Sequence, residues 1–402
     1  MKILYDYQIF TKQNYGGVSR YFYELMDNLR AHKIDIEIPI NYSKNIYIKE
    51  ADFLSKPLKG YTEYKDFLFG LRPKGKAKIY KLLQKLNFIK NAETANQKIS
   101  IECLKKQNFD IFHPTYYDSY FLKHIGKKPF VLTIYDMIHE TYPELFSADN
   151  KIARQKKILA QKADKIIAIS ENTKKDIIKF IGINEDKIQV IHLGSSINRQ
   201  ENNLKINTDL LKKLPEKYIL FVGNRASYKN FDNFSKALIP LFKINKKLNA
   251  VCAGGGEFSD KEINFFKTFN ITDKFRQYSV NDSDMTLLYK NALVFVFPSL
   301  YEGFGLPILE AFNCGCPVAA SNRSSLPEIA GNAAAYFNPE DISSITDAIN
   351  NIIADDGTKE KMKKNGFEQL KKFSWEKTAE KTLDVYNSIL NNISTDFSRT
   401  NQ

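Results

Sequence analysis

The chain has 402 residues, 43% of them hydrophobic and 26% charged, with 18 Gly and 13 Pro. These proportions exclude collagen-like, low-complexity and wholly disordered chains, and the length exceeds what one hydrophobic core organises, so two domains are expected. Lys and Arg number 59 against 46 Asp and Glu, a net charge of +13, which invites an anionic partner: a phosphorylated ligand, an acidic membrane surface or nucleic acid.

Residues 1–200 carry 34 basic and 22 acidic side chains and the remainder 25 and 24, so the excess sits in the first half. The opening MKILYDYQIF has too few apolar residues in a row for a secretory signal, and no later run approaches the roughly 18 that span a bilayer. Four cysteines without a metal or disulfide spacing fit a reducing compartment, hence a cytoplasmic protein, soluble or peripheral.

Short β-branched runs alternate with segments of helical period, the pattern of parallel sheets covered by helices. The first series of predicted strands is Lys2–Tyr5, Ile36–Ile40, Asp110–Phe112, Phe130–Ile134, Lys165–Ile169 and Gln189–His192. In open α/β sheets ligands bind beyond the carboxyl ends of the strands, so the residues that follow each strand are the candidates. After the first comes Gly16–Gly17, opening a helix whose bare backbone can lie against a ligand. On its own such a pair is more simply a turn. After the third stands His113, and after the fourth come Tyr135, Asp136 and His139. Ser170 reads as a helix cap rather than a nucleophile.

Between the second and third strands, RPKGKAKIYKLLQKLNFIK places Arg72, Lys74, Lys76, Lys78, Lys81, Lys85 and Lys90 around Ile79, Leu82, Leu83, Leu86 and Ile89 at helical spacing. Residues 67–90 can therefore lie on an anionic membrane, or turn the apolar row into the core with a solvated rim. Nucleic acid is excluded as a partner, because no helix-turn-helix, zinc-finger or aromatic RNA-binding signature is present. The polar stretch Ser195–Lys217 reads as a linker, with the domain boundary near residue 200.

The second series is Tyr218–Val222, Ala250–Ala253, Val294–Phe297, Pro317–Ala320 and Ala335–Phe337. Its first strand is followed by Gly223, Arg225 and Lys229, two cations beside a glycine turn that can neutralise a diphosphate. Asp282 and Asp284 begin a helical run, where Asn281 or Asp282 reads as the N-cap, so no metal is expected there. Gly254 to Gly256 lack the spacing of a dinucleotide fingerprint. Cys314 and Cys316 flank Gly315 as core thiols. The strand Val294–Phe297 leads into Glu302, Gly303, Phe304, Gly305, Leu306 and, a turn into the next helix, Glu310. Two glycines let backbone amides approach an anion at a helix N-terminus, while flanking carboxylates suit hydroxyl groups. Phosphates and hydroxyls together describe a nucleotide sugar.

The string EGFGLPILE, with Glu302 and Glu310 separated by seven residues, closely resembles the retaining glycosyltransferases of family four, and the likeness extends from Gly16–Gly17 to FSWEKTAEKTLDVY. The resemblance implies an α/β GT-B fold: two Rossmann-like parallel-sheet domains facing a central cleft, and a C-terminal helix crossing back, with Trp375 anchoring the crossing. Residues 1–200 are then the acceptor-binding domain, 201–375 the nucleotide-sugar domain and 376–402 the returning helix and polar tail. It further implies that Arg225 and Lys229 grip the donor diphosphate, that Glu302 holds the sugar hydroxyls and Glu310 the ribose, and that Gly16, Gly17, Gly223 and Gly303 to Leu306 line the cleft. No cofactor beyond the nucleoside-diphosphate-sugar donor is expected, and the acceptor is a glycan or lipid-linked glycan in surface-polysaccharide synthesis. Where many relatives have a His-Asp pair, Tyr135 replaces the histidine and Asp136 matches. His139 is then a candidate near the acceptor. Rival readings are a sugar-nucleotide epimerase or phosphorylase of the same fold, and a catalytically silent sugar-binding scaffold.

Overall fold

The computed structural model describes residues 1–49, 51–54, 57–62, 64, 66–71, 75–86, 88–89, 91–146, 149–195, 207–225 and 227–399. Arg72, Lys74 and Lys90, residues 196–206 of the linker and the last residues of the tail lie outside them.

The first half builds strands β1 (Lys2–Tyr5), β2 (Asp35–Glu37), β3 (Ile111–His113), β4 (Val131–Ile134), β5 (Lys165–Ala168) and β6 (Ile188–Val190). They pair in parallel in the orders β2-β1-β3 and β4-β5-β6. A single parallel bridge, Phe112 to Phe130, joins the two sets at β3 and β4. The second half builds β7 (Lys217–Val222), β8 (Leu248–Ala253), β9 (Phe275–Tyr278), β10 (Val294–Phe297), β11 (Val318–Ser321) and β12 (Ala334–Phe337), in the order β12-β11-β10-β7-β8-β9. Each half reverses its strand order beside its first strand, the doubly wound arrangement whose reversal point opens a crevice for ligands.

Central strands are continuous apolar runs because helices cover both faces of a parallel sheet. Along β7, Tyr218 and Leu220 face one buried cluster while Ile219 and Phe221 face another, the two-residue period of a strand. Two departures from the sequence reading concern sheet edges. The strand β9, FRQY, went unpredicted: it is an edge strand with only Phe275 buried, so it lacks the apolar run that marks a central strand. Conversely, β2 ends at Glu37 rather than Ile40, since Pro39 has no N–H to continue the ladder.

The C-terminal helix Trp375–Arg399 leaves the second half and packs on the Gly17–Ala31 helix and on β5 of the first. Its Tyr386 hydroxyl is 2.9 Å from the Tyr5 hydroxyl and 2.6 Å from His113 Nδ1, and Thr378 donates to the His192 carbonyl at 2.8 Å. Trp375 is 6% exposed and lies against Tyr21, with ring centroids 6.2 Å apart. A Cβ on Gly194 would stand 2.3 Å from the Trp375 nitrogen, so the outgoing and returning crossings touch backbone to backbone. Trp375→Ala should therefore cost about 3–5 kcal/mol. Guanidinium unfolding followed with one probe in each half should show both transitions shifted to lower denaturant.

Candidate active site

A cleft of about 540 Å³ lies between the carboxyl ends of the two sheets. From the first half it is lined by Gly16, Gly17 and Tyr135 among others, and from the second by Gly223, Lys229 and the segment Glu302–Pro307. Gly17 and Leu306 face each other across it: a Cβ on Gly17 would be 3.6 Å from Leu306 Cδ1.

The loop after β10 is shaped by hydroxyl groups from three directions. Ser325 donates to the carbonyls of Glu302 and Phe304 at 2.9 and 2.8 Å, Ser170 donates to the Gly303 carbonyl at 2.8 Å, and Ser324 Oγ accepts the Glu302 N–H at 2.9 Å. Gly305 then caps the helix Leu306–Asn313 with φ of 118°, a left-handed value that favours glycine, and Pro307 occupies its first turn. The first N–H groups of a helix have no intrahelical partner and carry partial positive charge, so this turn is an anion-facing surface on the cleft.

Lys229 Nζ is 2.5 Å from Glu302 Oε1 within the cleft, and its ammonium lies over the Tyr228 and Phe297 rings at 5.2 and 5.4 Å. Burial alone would lower the Lys229 pKa, but Glu302 outweighs it and holds the ammonium above its ordinary value. Lys229 is thus a fixed cation beside the helix N-terminus.

The other residues singled out from sequence are placed differently. Arg225 does not line the cleft. Its guanidinium donates to Glu262 at 2.5 Å and to the carbonyls of Gly254, Gly256 and Glu257 at 3.2, 3.1 and 2.7 Å, stacked over Phe231 and Phe258. In this structure it braces the glycine turn after β8. Glu310 is also off the lining: it accepts from Arg20 of the Gly17–Ala31 helix at 2.9 Å and from the Tyr289 hydroxyl at 3.2 Å, an ion pair joining the two halves. Asp136 sits just behind Tyr135, accepting the Ile138 N–H at 3.1 Å, with Lys156 3.8 Å away. His139 stacks on Phe146 at 4.0 Å between centroids, and burial pulls its pKa down. Asp282's side chain lies outside the described part, and Asn281 caps the helix by accepting the Asp284 N–H at 2.9 Å. Among the described residues no group of three or more His, Cys, Asp or Glu could hold a metal.

Several residues that shape the site were not singled out from sequence. Arg20 lies one turn below Gly16–Gly17 and could have been reached by following that helix inward. Ser324 and Ser325 follow β11, so the strand-end rule that found the other candidates covers them too. Glu328 gave no signal: its carboxylate accepts from His192 at 2.6 Å and from the N–H groups of Glu171 and Asn172 at 2.8 and 3.3 Å, capping a helix of the first half from the second. Burial opposes its ionisation, but His192 and those N–H groups outweigh it and hold the carboxyl below its usual range.

His113 is fully buried, its Nε2 2.9 Å from the Thr133 hydroxyl, and burial pulls its pKa down from 6.5 to about 3. It belongs to the core under the C-terminal helix, not to the cleft. The folded chain refuses a proton there that the unfolded chain accepts below its ordinary pKa, so this contribution to stability is lost as pH falls. Between pH 7 and 5, urea unfolding should lose about 2 kcal/mol more in the parent chain than in His113→Asn.

Residues 15–199 match the family model described as Glycosyltransferase Family 4, and residues 202–369 match that described as Glycosyl transferases group 1. The chain is 30% identical over 266 residues to the O-antigen chain mannosyltransferase B of Escherichia coli, a match covering 64% of this chain and 69% of that protein. It is 28% identical over 242 residues to the serotype-specific mannosyltransferase WbdA of Escherichia coli, covering 57% of this chain but only 29% of the longer relative. Among solved structures, Anabaena HepE in complex with UDP and glucose superposes with a TM-score of 0.70 at 15% identity, covering 96% of this chain and 100% of that one, a likeness of fold.

Proposed function

Because the chain belongs to the family 4 glycosyltransferases and has their GT-B fold, we propose that it moves a hexosyl group from a nucleoside-diphosphate sugar to a hydroxyl of a glycan or lipid-linked glycan, with retained anomeric configuration and without a metal, in bacterial surface-polysaccharide synthesis. The observation that carries this reading is the Lys229–Glu302 pair beside the N-terminus of the Leu306–Asn313 helix, facing Gly16–Gly17 across the cleft. A cation and first-turn amides suit a diphosphate, and the adjacent carboxylate suits the sugar's hydroxyls. The mannosyltransferase relatives make mannose the first sugar to test.

In the proposed reaction the acceptor oxygen bonds to the anomeric carbon on the face from which the phosphate oxygen departs. The acceptor proton passes to that departing oxygen, so no side-chain nucleophile is required. Lys229 and the amides of Gly303 to Leu306 take up the negative charge developing on the leaving diphosphate. With Lys229 and the helix N-terminus supplying this charge, EDTA should leave transfer unchanged. Lys229→Ala should lower kcat by about 10²–10³-fold, and Glu302→Gln should severely reduce transfer. A scaffold would keep its role through both changes. A melting-temperature screen against GDP, UDP and their sugars checks donor binding and identifies the base, since a ligand that binds only the folded chain raises the midpoint.

No helix among the described residues is long and apolar enough to cross a membrane. The helix Lys76–Lys85 keeps Ile79 and Leu82 exposed, with Leu86 just beyond it also exposed, so this row does not enter the core as one of the two sequence readings had it. Its apolar row beside Lys78, Lys81 and Lys85 supports peripheral contact with an anionic inner leaflet, the proposed location. Co-sedimentation with phosphatidylglycerol vesicles should be strong at low salt, weaken at high salt, and drop when Leu82 and Leu86 are both changed to Asp.

A further inference from the structure

A second and larger concavity, about 830 Å³, lies beside the cleft between the helix Gln8–Lys12 with its following turn and the segment that carries Tyr61, Tyr64 and Tyr80. From this groove we infer an acceptor subsite for an extended, uncharged oligosaccharide of several units, whose growing end enters the cleft at Gly16–Gly17. The inference rests on the cleft being the transfer site and specifies what kind of acceptor reaches it.

Four tyrosines, Tyr15, Tyr61, Tyr64 and Tyr80, line the groove, with the amide side chains of Gln13, Asn14 and Gln84 among them. A tyrosine offers an apolar face and a polar rim at little cost in rotamer freedom, and amides both donate and accept. A pyranose presents the matching surface, an apolar C–H face ringed by hydroxyls. The volume lies near the top of the roughly 300–1,000 Å³ range of small-molecule sites, more than one sugar needs.

Charge separates this ligand from other users of aromatic grooves. Among the described lining residues only Lys12 and Glu93 are charged, and they pair with each other at 3.6 Å, while Lys44, 5.6 Å from the Tyr61 ring centre, is paired with Asp66 at 2.6 Å. In a chain of net charge +13, this pairing of opposite charges sets the described lining apart from a cationic channel. Single-stranded nucleic acid also stacks on aromatic rings, but it tracks a cationic channel. A lipid tail would meet amides and hydroxyls where it needs hydrocarbon.

The rings are positioned in advance. Tyr80 donates its hydroxyl to the Thr62 carbonyl at 2.8 Å and meets Tyr64 edge to face at 5.3 Å, and Lys76 Nζ lies 5.1 Å from the Tyr64 ring centre. Tyr64 and Tyr15 are each about half-exposed. Gln13 and Tyr15 line both the groove and the cleft, so the two are continuous, and Tyr80 and Gln84 occupy a face of their helix different from that of Ile79 and Leu82.

Calorimetric titration of the full chain with neutral manno-, gluco- and galacto-oligosaccharides of one to five units tests this. In at least one series affinity should climb about tenfold or more between the monosaccharide and the longest member. Tyr64→Ala and Tyr80→Ala should each weaken the longest ligand about tenfold, whereas Tyr80→Phe, which keeps the ring, should not. The parent melting temperature in Tyr64→Ala, whose ring is already half in water, guards against a folding effect. Affinity that does not grow with length in any series, equal binding by the alanine variants, or preference for phosphorylated or acidic oligosaccharides overturns the subsite. The GDP and UDP melting shifts read the cleft separately: if they fail while the oligosaccharides bind, the donor reading falls and the groove stands.

Discussion

The active cleft depends on one contact where no side chain fits. A Cβ on Gly303 would lie 1.7 Å from the carbonyl oxygen of Tyr135, so the loop of the second half presses its bare backbone against the strand end of the first. Ser170 and Thr173, at the start of a first-half helix, donate to the Gly303 carbonyl from the other side at 2.8 and 3.3 Å. The glycine loop of one half is thereby held against the strand end of the other. Glycine is needed at 303 for proximity, whereas at 305 it is needed for a left-handed backbone, so the two glycines of the loop answer different constraints.

Around that contact several polar groups cross between the two halves. The Arg20–Glu310 pair, the Glu328 carboxylate on His192 and on two helix amides, and the Tyr301 hydroxyl on Asp176 each cross between them. Such contacts specify one closed arrangement through direction and charge, and they can be exchanged for water or for ligand groups more readily than a dry apolar seam. Apolar contact joins the halves as well: one buried cluster runs through both, and Phe304 packs toward His192 across them.

Fold class and most strands were legible because buried parallel strands are written as unbroken apolar runs, and what was lost lay at edges, where FRQY carries only half of that signal. Within the site, Gly303, Gly305 and Lys229 could be read because their residue types are unusual immediately after strands. Arg225 followed the same rule, yet its partners Glu262 and the carbonyls after β8 lie about thirty residues away in sequence, and no local pattern reports a guanidinium already engaged. The Glu328 cap is likewise a meeting of residues from opposite halves. The basic helix gave two readings because an amphipathic row has the same period whether it meets a core or the surface; only the packing of the first half leaves it outward.

The contact of Gly194 with Trp375 ties the two chain passages together at one point. Both chain passages between the halves run through that point, the first arriving at Gly194 and the second departing at Trp375. Two passages fixed side by side permit rotation while resisting separation, as the knuckle of a hinge does. By geometry alone, any rotation about that point would displace residues beside Trp375 least and the far rim of the cleft most.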